Sequence, residues 1–149
     1  MFQQLMHFLS ADHAPKAPDP RLAVATLLVE AATRSDHFAD HERIMIRNLL
    51  GQCFGLAPDE CASLLIRAEE KQRDLVQLQP FTHAIFEQMV PGERALVIEM
   101  LWEVVYADVV LEPEEDALIR KIAGLIYVDD ITRTEARRRV VARMSQEQS

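Results

Sequence analysis

Carboxylates are the residues here whose types and spacing point to chemistry, and they crowd one stretch, LWEVVYADVVLEPEEDALIRKIA, from Leu101 to Ala123. The stretch reads as a helix, a short acidic bend and a second helix opened by Pro113, and the chain is expected to be organised around it. Glu103 is a lone charge in an apolar run, while Asp108, Glu112, Glu114, Glu115 and Asp116 surround the bend. Asp108 falls in the last turn of its helix, where the macrodipole disfavours a negative charge. By its distance from the bend, Glu115 faces it, and two facing carboxylates repel unless a proton, a cation or backbone N–H groups intervene. Two readings follow. Asp108 caps the free N–H groups of the next helix, or Asp108, Glu112 and Glu115 hold a hard cation (Ca²⁺, Mg²⁺ or Mn²⁺) through oxygen ligands. The bend is not an EF-hand: counted from Asp108, Val110 takes the third position and Pro113 the sixth, where a ligand and a glycine are required.

A second hairpin repeats the pattern. Shifting Leu28, Glu30, Glu42, Ile46, Arg47 and Gly51 by 73 positions gives Leu101, Glu103, Glu115, Ile119, Arg120 and Gly124, six identities without a gap. A duplication producing two pseudo-symmetric helical hairpins is the simplest account. Antiparallel hairpin geometry then sets Glu30 level with Arg47 and Glu103 level with Arg120, so each lone glutamate is expected to form a salt bridge across its hairpin. In the first bend, His37 and His41 lie at i, i+4 beside Asp36, Asp40 and Glu42. The pair straddles a bend and lacks the glutamate that follows the first histidine of HExxH sites, so zinc is the less favoured metal.

The elements that must carry these residues are helical. The chain has 149 residues, 49% hydrophobic, with only 4 glycines and 7 prolines, which suits a single all-α domain with a sizeable core. Phe2, Leu5, Met6 and Leu9 follow the spacing of one helix face, and three prolines between Ser10 and Pro20 read as a linker, dividing 1–19 from a helical domain at 20–149. Helices are expected from Pro20 to about Arg34 with Asp19 as cap, from Asp40 as cap to a stop at Gly55, and from Pro58 to about Asp74. Others are expected from Phe81 to Met89, after a Pro91-Gly92 break through Trp102, from Pro113 to near Tyr127, and from a Thr132-x-x-Glu135 capping box to about Met144. The sum is a compact bundle of seven to eight helices.

Charge and composition narrow the function classes. A net charge of −8 argues against nucleic acid as the main partner. The most apolar window, Ala95 to Leu111, is interrupted by Glu99, Glu103 and Asp108 and is no membrane span. Cys53 and Cys61 form no disulfide framework and read as core thiols of a cytoplasmic protein. No Ser/His/Asp or Cys/His constellation and no phosphate-binding glycine loop is present, so a non-enzyme is expected. Arg133, Arg137, Arg138, Arg139 and Arg143 face only Glu135 and Glu147 after Ile131. That basic tail binds an acidic partner, folds back on the acidic hairpins, or is a solvated face.

LWEVVYAD (101–108), LEPEEDALIRKIAGLIYV (111–128) and the fainter LLVEAATRSDHFADHERIMIRNLL (27–50) together resemble the TerB-like family, named for tellurite resistance protein B. The resemblance covers roughly residues 20 to 144. It implies an all-helical fold of two pseudo-symmetric hairpins and a cytoplasmic, stress-associated, non-enzymatic role. It also implies metal binding by clustered acids, which fall on Glu30, Asp36, Glu103, Asp108 and Glu115, with Glu42 and Glu112 as further candidates. Val109 stands where the family usually has glycine, and Arg34-Ser35 replaces a more typical Ala-Asp-Gly run. A related domain accompanies a J-domain in a co-chaperone, so a helical adaptor with structural carboxylates is the alternative function. The oligomeric state is left open.

Overall fold

The structure is a computed structural model that describes residues 18–34, 38–107 and 113–147. Those residues form seven α-helices and no strand: α1 (Pro20–Thr33), α2 (Asp40–Phe54), α3 (Pro58–Arg73), α4 (Gln79–Gln88), α5 (Pro91–Val105), α6 (Pro113–Leu125) and α7 (Asp130–Glu147). The all-α bundle read from the sequence is the fold. The N-terminal helix expected over Phe2–Leu9 and its linker lie outside the described residues.

Proline and glycine set most boundaries. Pro20, Pro58, Pro91 and Pro113 each occupy the first helical position, where the missing N–H costs nothing. Pro91-Gly92 thus opens α5 rather than separating it from its neighbour. Asp19 caps α1 by accepting a hydrogen bond from the Arg21 backbone N–H at 2.9 Å. Three other helices open with a glutamate at the third position that reaches back to the preceding backbone. Glu42, Glu60 and Glu93 accept from the N–H groups of Ala39, Ala57 and Val90 at 3.3, 3.1 and 2.9 Å. Ala39, not Asp40, is therefore the cap residue of α2. At α7 the Thr132–Glu135 box is not used. The Asp129 carboxylate accepts from Thr132 N–H at 2.7 Å, which holds its pKa below the usual carboxylate range.

α2 stops where Gly55 adopts φ +64°, allowing the Leu56 N–H to bond the Gly51 carbonyl at 3.2 Å. A Cβ at Gly55 would meet no atom within 4 Å, so only backbone strain opposes a side chain there. Gly55→Ala is accordingly expected to destabilise by about 1 kcal/mol in urea unfolding. α6 ends in the same way at Tyr127, a non-glycine residue at φ 59° whose ring stacks on Phe86 with centroids 4.7 Å apart.

The axis of the bundle is α1, not the second hairpin. Every residue from Leu22 to Ala32 is buried, and α1 packs against α2, α3, α4, α5 and α6. A helix apolar on all sides is stable only when surrounded, and LAVATLLVEAA meets that condition with one threonine and one glutamate. Thr26 satisfies its hydroxyl by donating to the Leu22 carbonyl at 2.7 Å. α5 supplies the second buried wall, with Val97, Ile98, Leu101, Trp102, Val104 and Val105 in the core. α7 lies on α5 and contributes only Ala136 and Val140 to the buried set. Of the two cysteines, Cys61 is buried but Cys53 is exposed, so only one of the expected core thiols is in the core.

Candidate functional site

The candidate carboxylates separate into three groups. Glu30 and Glu103, one on each leading helix of the repeated hairpins, are both ion-paired, though not with the arginines expected. Glu30 accepts from Arg34 Nε at 3.2 Å, one turn along its own helix. Glu103 Oε1 pairs with Arg143 of α7. Arg120 instead holds Asp116 at 3.0 Å, also within one helix. No Glu30–Arg47 or Glu103–Arg120 bridge forms among the described residues. For Glu30 and Arg120 the physical reason is proximity: an i, i+4 partner is always within reach on a helix, whereas residues level in a hairpin meet only if both point into the seam.

The second group is Glu42 and Glu115, 73 positions apart, both at the third position of the helix leaving a bend and both 1% exposed. Carboxylates tolerate burial there because first-turn N–H groups and the helix dipole favour negative charge. Glu42 shows this directly through its bond from Ala39 N–H. The third group, Asp36, Asp108 and Glu112, lies outside the described residues, as does His37. Among the described residues no group of three or more His, Cys, Asp or Glu side chains is arranged to hold a metal ion.

The strongest electrostatic feature is one the sequence reading passed over. Glu99, 9% exposed, accepts from Arg139 Nε and Arg143 Nη1, each at 3.0 Å. Burial pushes its carboxyl upward, but the hydrogen bonds from Arg143 and Arg139 outweigh this and leave its pKa below the usual carboxylate range. Arg143, bridging Glu99 and Glu103, is correspondingly raised: burial works against its charge and the two carboxylates more than compensate. The available signal was another lone charge, in the run ALVIEMLWEVV. Arg137, on the same helix, donates Nε to the Tyr106 hydroxyl at 2.6 Å and lies 5.4 Å from the Trp102 ring centre. The basic tail thus folds back on the acidic hairpin, one of the three outcomes expected of it. Elsewhere, Arg43 links α2 to α3 through Glu69 at 2.6 Å.

A cleft of about 360 Å³ opens where α5, α6 and α7 meet, lined by Trp102, Arg120, Arg133, Arg137 and Asp116 among others. Three arginines and a tryptophan give it mainly hydrogen-bond donors, against the one lining carboxylate of Asp116 among the described residues.

These features define an all-helical bundle whose candidate site is an acidic helical hairpin braced by a basic C-terminal helix. A family model described as tellurite resistance protein TerB matches residues 21–138. The chain belongs to that family. No curated protein and no solved structure gives a significant match. Among the described residues, no helix is long and apolar enough to cross a membrane.

Proposed function

We propose that this chain is a non-enzymatic, cytoplasmic member of the TerB family that takes up a divalent cation at its hairpin bends, in a stress response or in the tellurite-resistance setting that the family's description names. The observation that carries the reading is the matched burial of Glu42 and Glu115, each one turn beyond a bend that contains further acids. A hard cation prefers carboxylate oxygen ligands, and Ca²⁺, Mg²⁺ or Mn²⁺ fits better than Zn²⁺. Asp108, Glu112 and Glu115 are the proposed ligands at the second bend, with Asp36 and Glu42 their counterparts at the first. Glu30 and Glu103, already held by arginines, are scaffold in this reading. The shared helix position and burial of Glu42 and Glu115 also support an origin of the two hairpins by duplication.

Calorimetric titration with Ca²⁺, Mn²⁺ and Zn²⁺ tests the proposal. Binding of Ca²⁺ or Mn²⁺ with Kd of about 1 mM or tighter is expected, weakened roughly tenfold by Asp108→Asn or Glu112→Gln. No binding in that range, or binding indifferent to both substitutions, would overturn it.

A second reading, a helical interaction module with purely structural carboxylates, is favoured by one specific observation. Glu30, Glu99 and Glu103 are all engaged by arginines of the same chain. A protein that binds no divalent cation yet loses stability on removal of those pairs would fit that reading.

A further inference from the structure

We propose that the cleft between α5, α6 and α7 binds a small oxyanion of the phosphate class. Three guanidinium groups line it, from Arg120, Arg133 and Arg137, against the single lining carboxylate of Asp116 among the described residues. Each guanidinium is fixed by one bond and keeps further N–H groups. Arg120 is held by Asp116 at 3.0 Å, Arg133 by Asp130 at 2.7 Å, and Arg137 by the Tyr106 hydroxyl at 2.6 Å. Planar forks held in this way suit the oxygens of a phosphate group, which accept several charge-assisted bonds at once.

A second observation, independent of the arginines, points to a ligand. Trp102 also lines the cleft, is 1% exposed, and its indole N–H has no hydrogen-bond partner. An indole N–H is a donor only, and a buried donor left unmatched is rare enough to need an acceptor. An oxygen of the bound anion supplies that acceptor once the Arg137 side chain, 5.4 Å from the ring centre, shifts to admit it. The donor set excludes a metal cation, which three guanidinium groups repel, and an apolar ligand would leave the indole unmatched. The volume of about 360 Å³ lies at the small end of ligand sites and admits a monoester as well as the free ion. The net charge of −8 works against an anion at long range, so binding is expected to be modest and to weaken with salt. The inference does not depend on the cation reading, because Trp102, Arg133 and Arg137 belong to α5 and α7.

Trp102 is the only tryptophan, so its indole resonance reports this cleft alone in a ¹⁵N–¹H correlation spectrum of the full chain. Inorganic phosphate and O-phosphoserine are titrated at constant ionic strength, balanced with sodium chloride. A saturable shift with Kd of about 1 mM or tighter is expected for at least one probe, and the tighter of the two identifies free ion or monoester as the source. Arg133→Gln is expected to weaken it roughly tenfold, while Arg67→Gln on the remote face of α3 leaves it unchanged. Arg137→Lys serves if Arg133→Gln does not fold, because it keeps the charge and loses the fork. A shift that never saturates, or one that chloride reproduces, overturns the proposal. So does binding unaffected by the arginine substitutions.

Discussion

Replacing Leu28 by alanine is expected to lower the unfolding free energy by about 3 kcal/mol, read as a fall in the urea midpoint with an unchanged slope. Leu28 is fully buried on the one helix that touches five others. Its neighbours are fixed from opposite sides, so the void left by the isobutyl group does not collapse. The removed methylenes contribute the transfer part of the cost, and the retained cavity adds to it. Leu101, its counterpart in the second hairpin, is equally buried, and Leu101→Ala is expected to cost about as much. A loss below about 1 kcal/mol for Leu28→Ala would mean that α1 is not the axis of the bundle.

Glu99→Gln is expected to cost about 2 kcal/mol at pH 7. The figure lies below that for a fully buried pair because side-chain exposures of 50% for Arg139 and 45% for Arg143 leave both partners screened. Arg143 keeps Glu103 in the variant, whereas Arg139 loses its carboxylate partner. The pH dependence follows from the depressed pKa of Glu99. A carboxyl that binds its proton less readily when folded stabilises the fold above its unfolded pKa, about 4.3. That contribution disappears as pH falls through the lower folded value. The stability difference between the native chain and Glu99→Gln is therefore full at neutral pH and narrows on acidification below about pH 4.3. A difference constant between pH 7 and pH 3 would contradict the ion-pair account and point to packing instead.

The helices were legible because local chemistry ends them. Proline at the first position, glycine at φ +64° and Asp19 as a cap each act within a few residues. Side-chain partners across the fold were not legible. Glu103 finds Arg143 only because α7 lies along α5, a packing choice set by the shallow apolar strip of Ala136 and Val140. Hairpin register alone favoured Arg120, which its own helix had already supplied with Asp116. The burial of α1 was written in an apolar run interrupted only by Thr26 and Glu30. Among the described candidate ligands Glu42 and Glu115 are the most deeply buried, and no periodicity in the sequence distinguishes them from Glu60 or Glu93, which open their helices in the same position but remain exposed.

The burial of α1 on every side also bears on how the chain is made. α1 leaves the ribosome before each of the five helices that enclose it, and α6 begins about 80 residues after α1 ends. At roughly 5–20 residues per second, translation leaves this apolar segment without its last neighbour for several seconds. During that interval its leucines and valines are the surface most prone to misassociation, so a nascent chain stalled before α6 is the form of this protein with the greatest need of a chaperone.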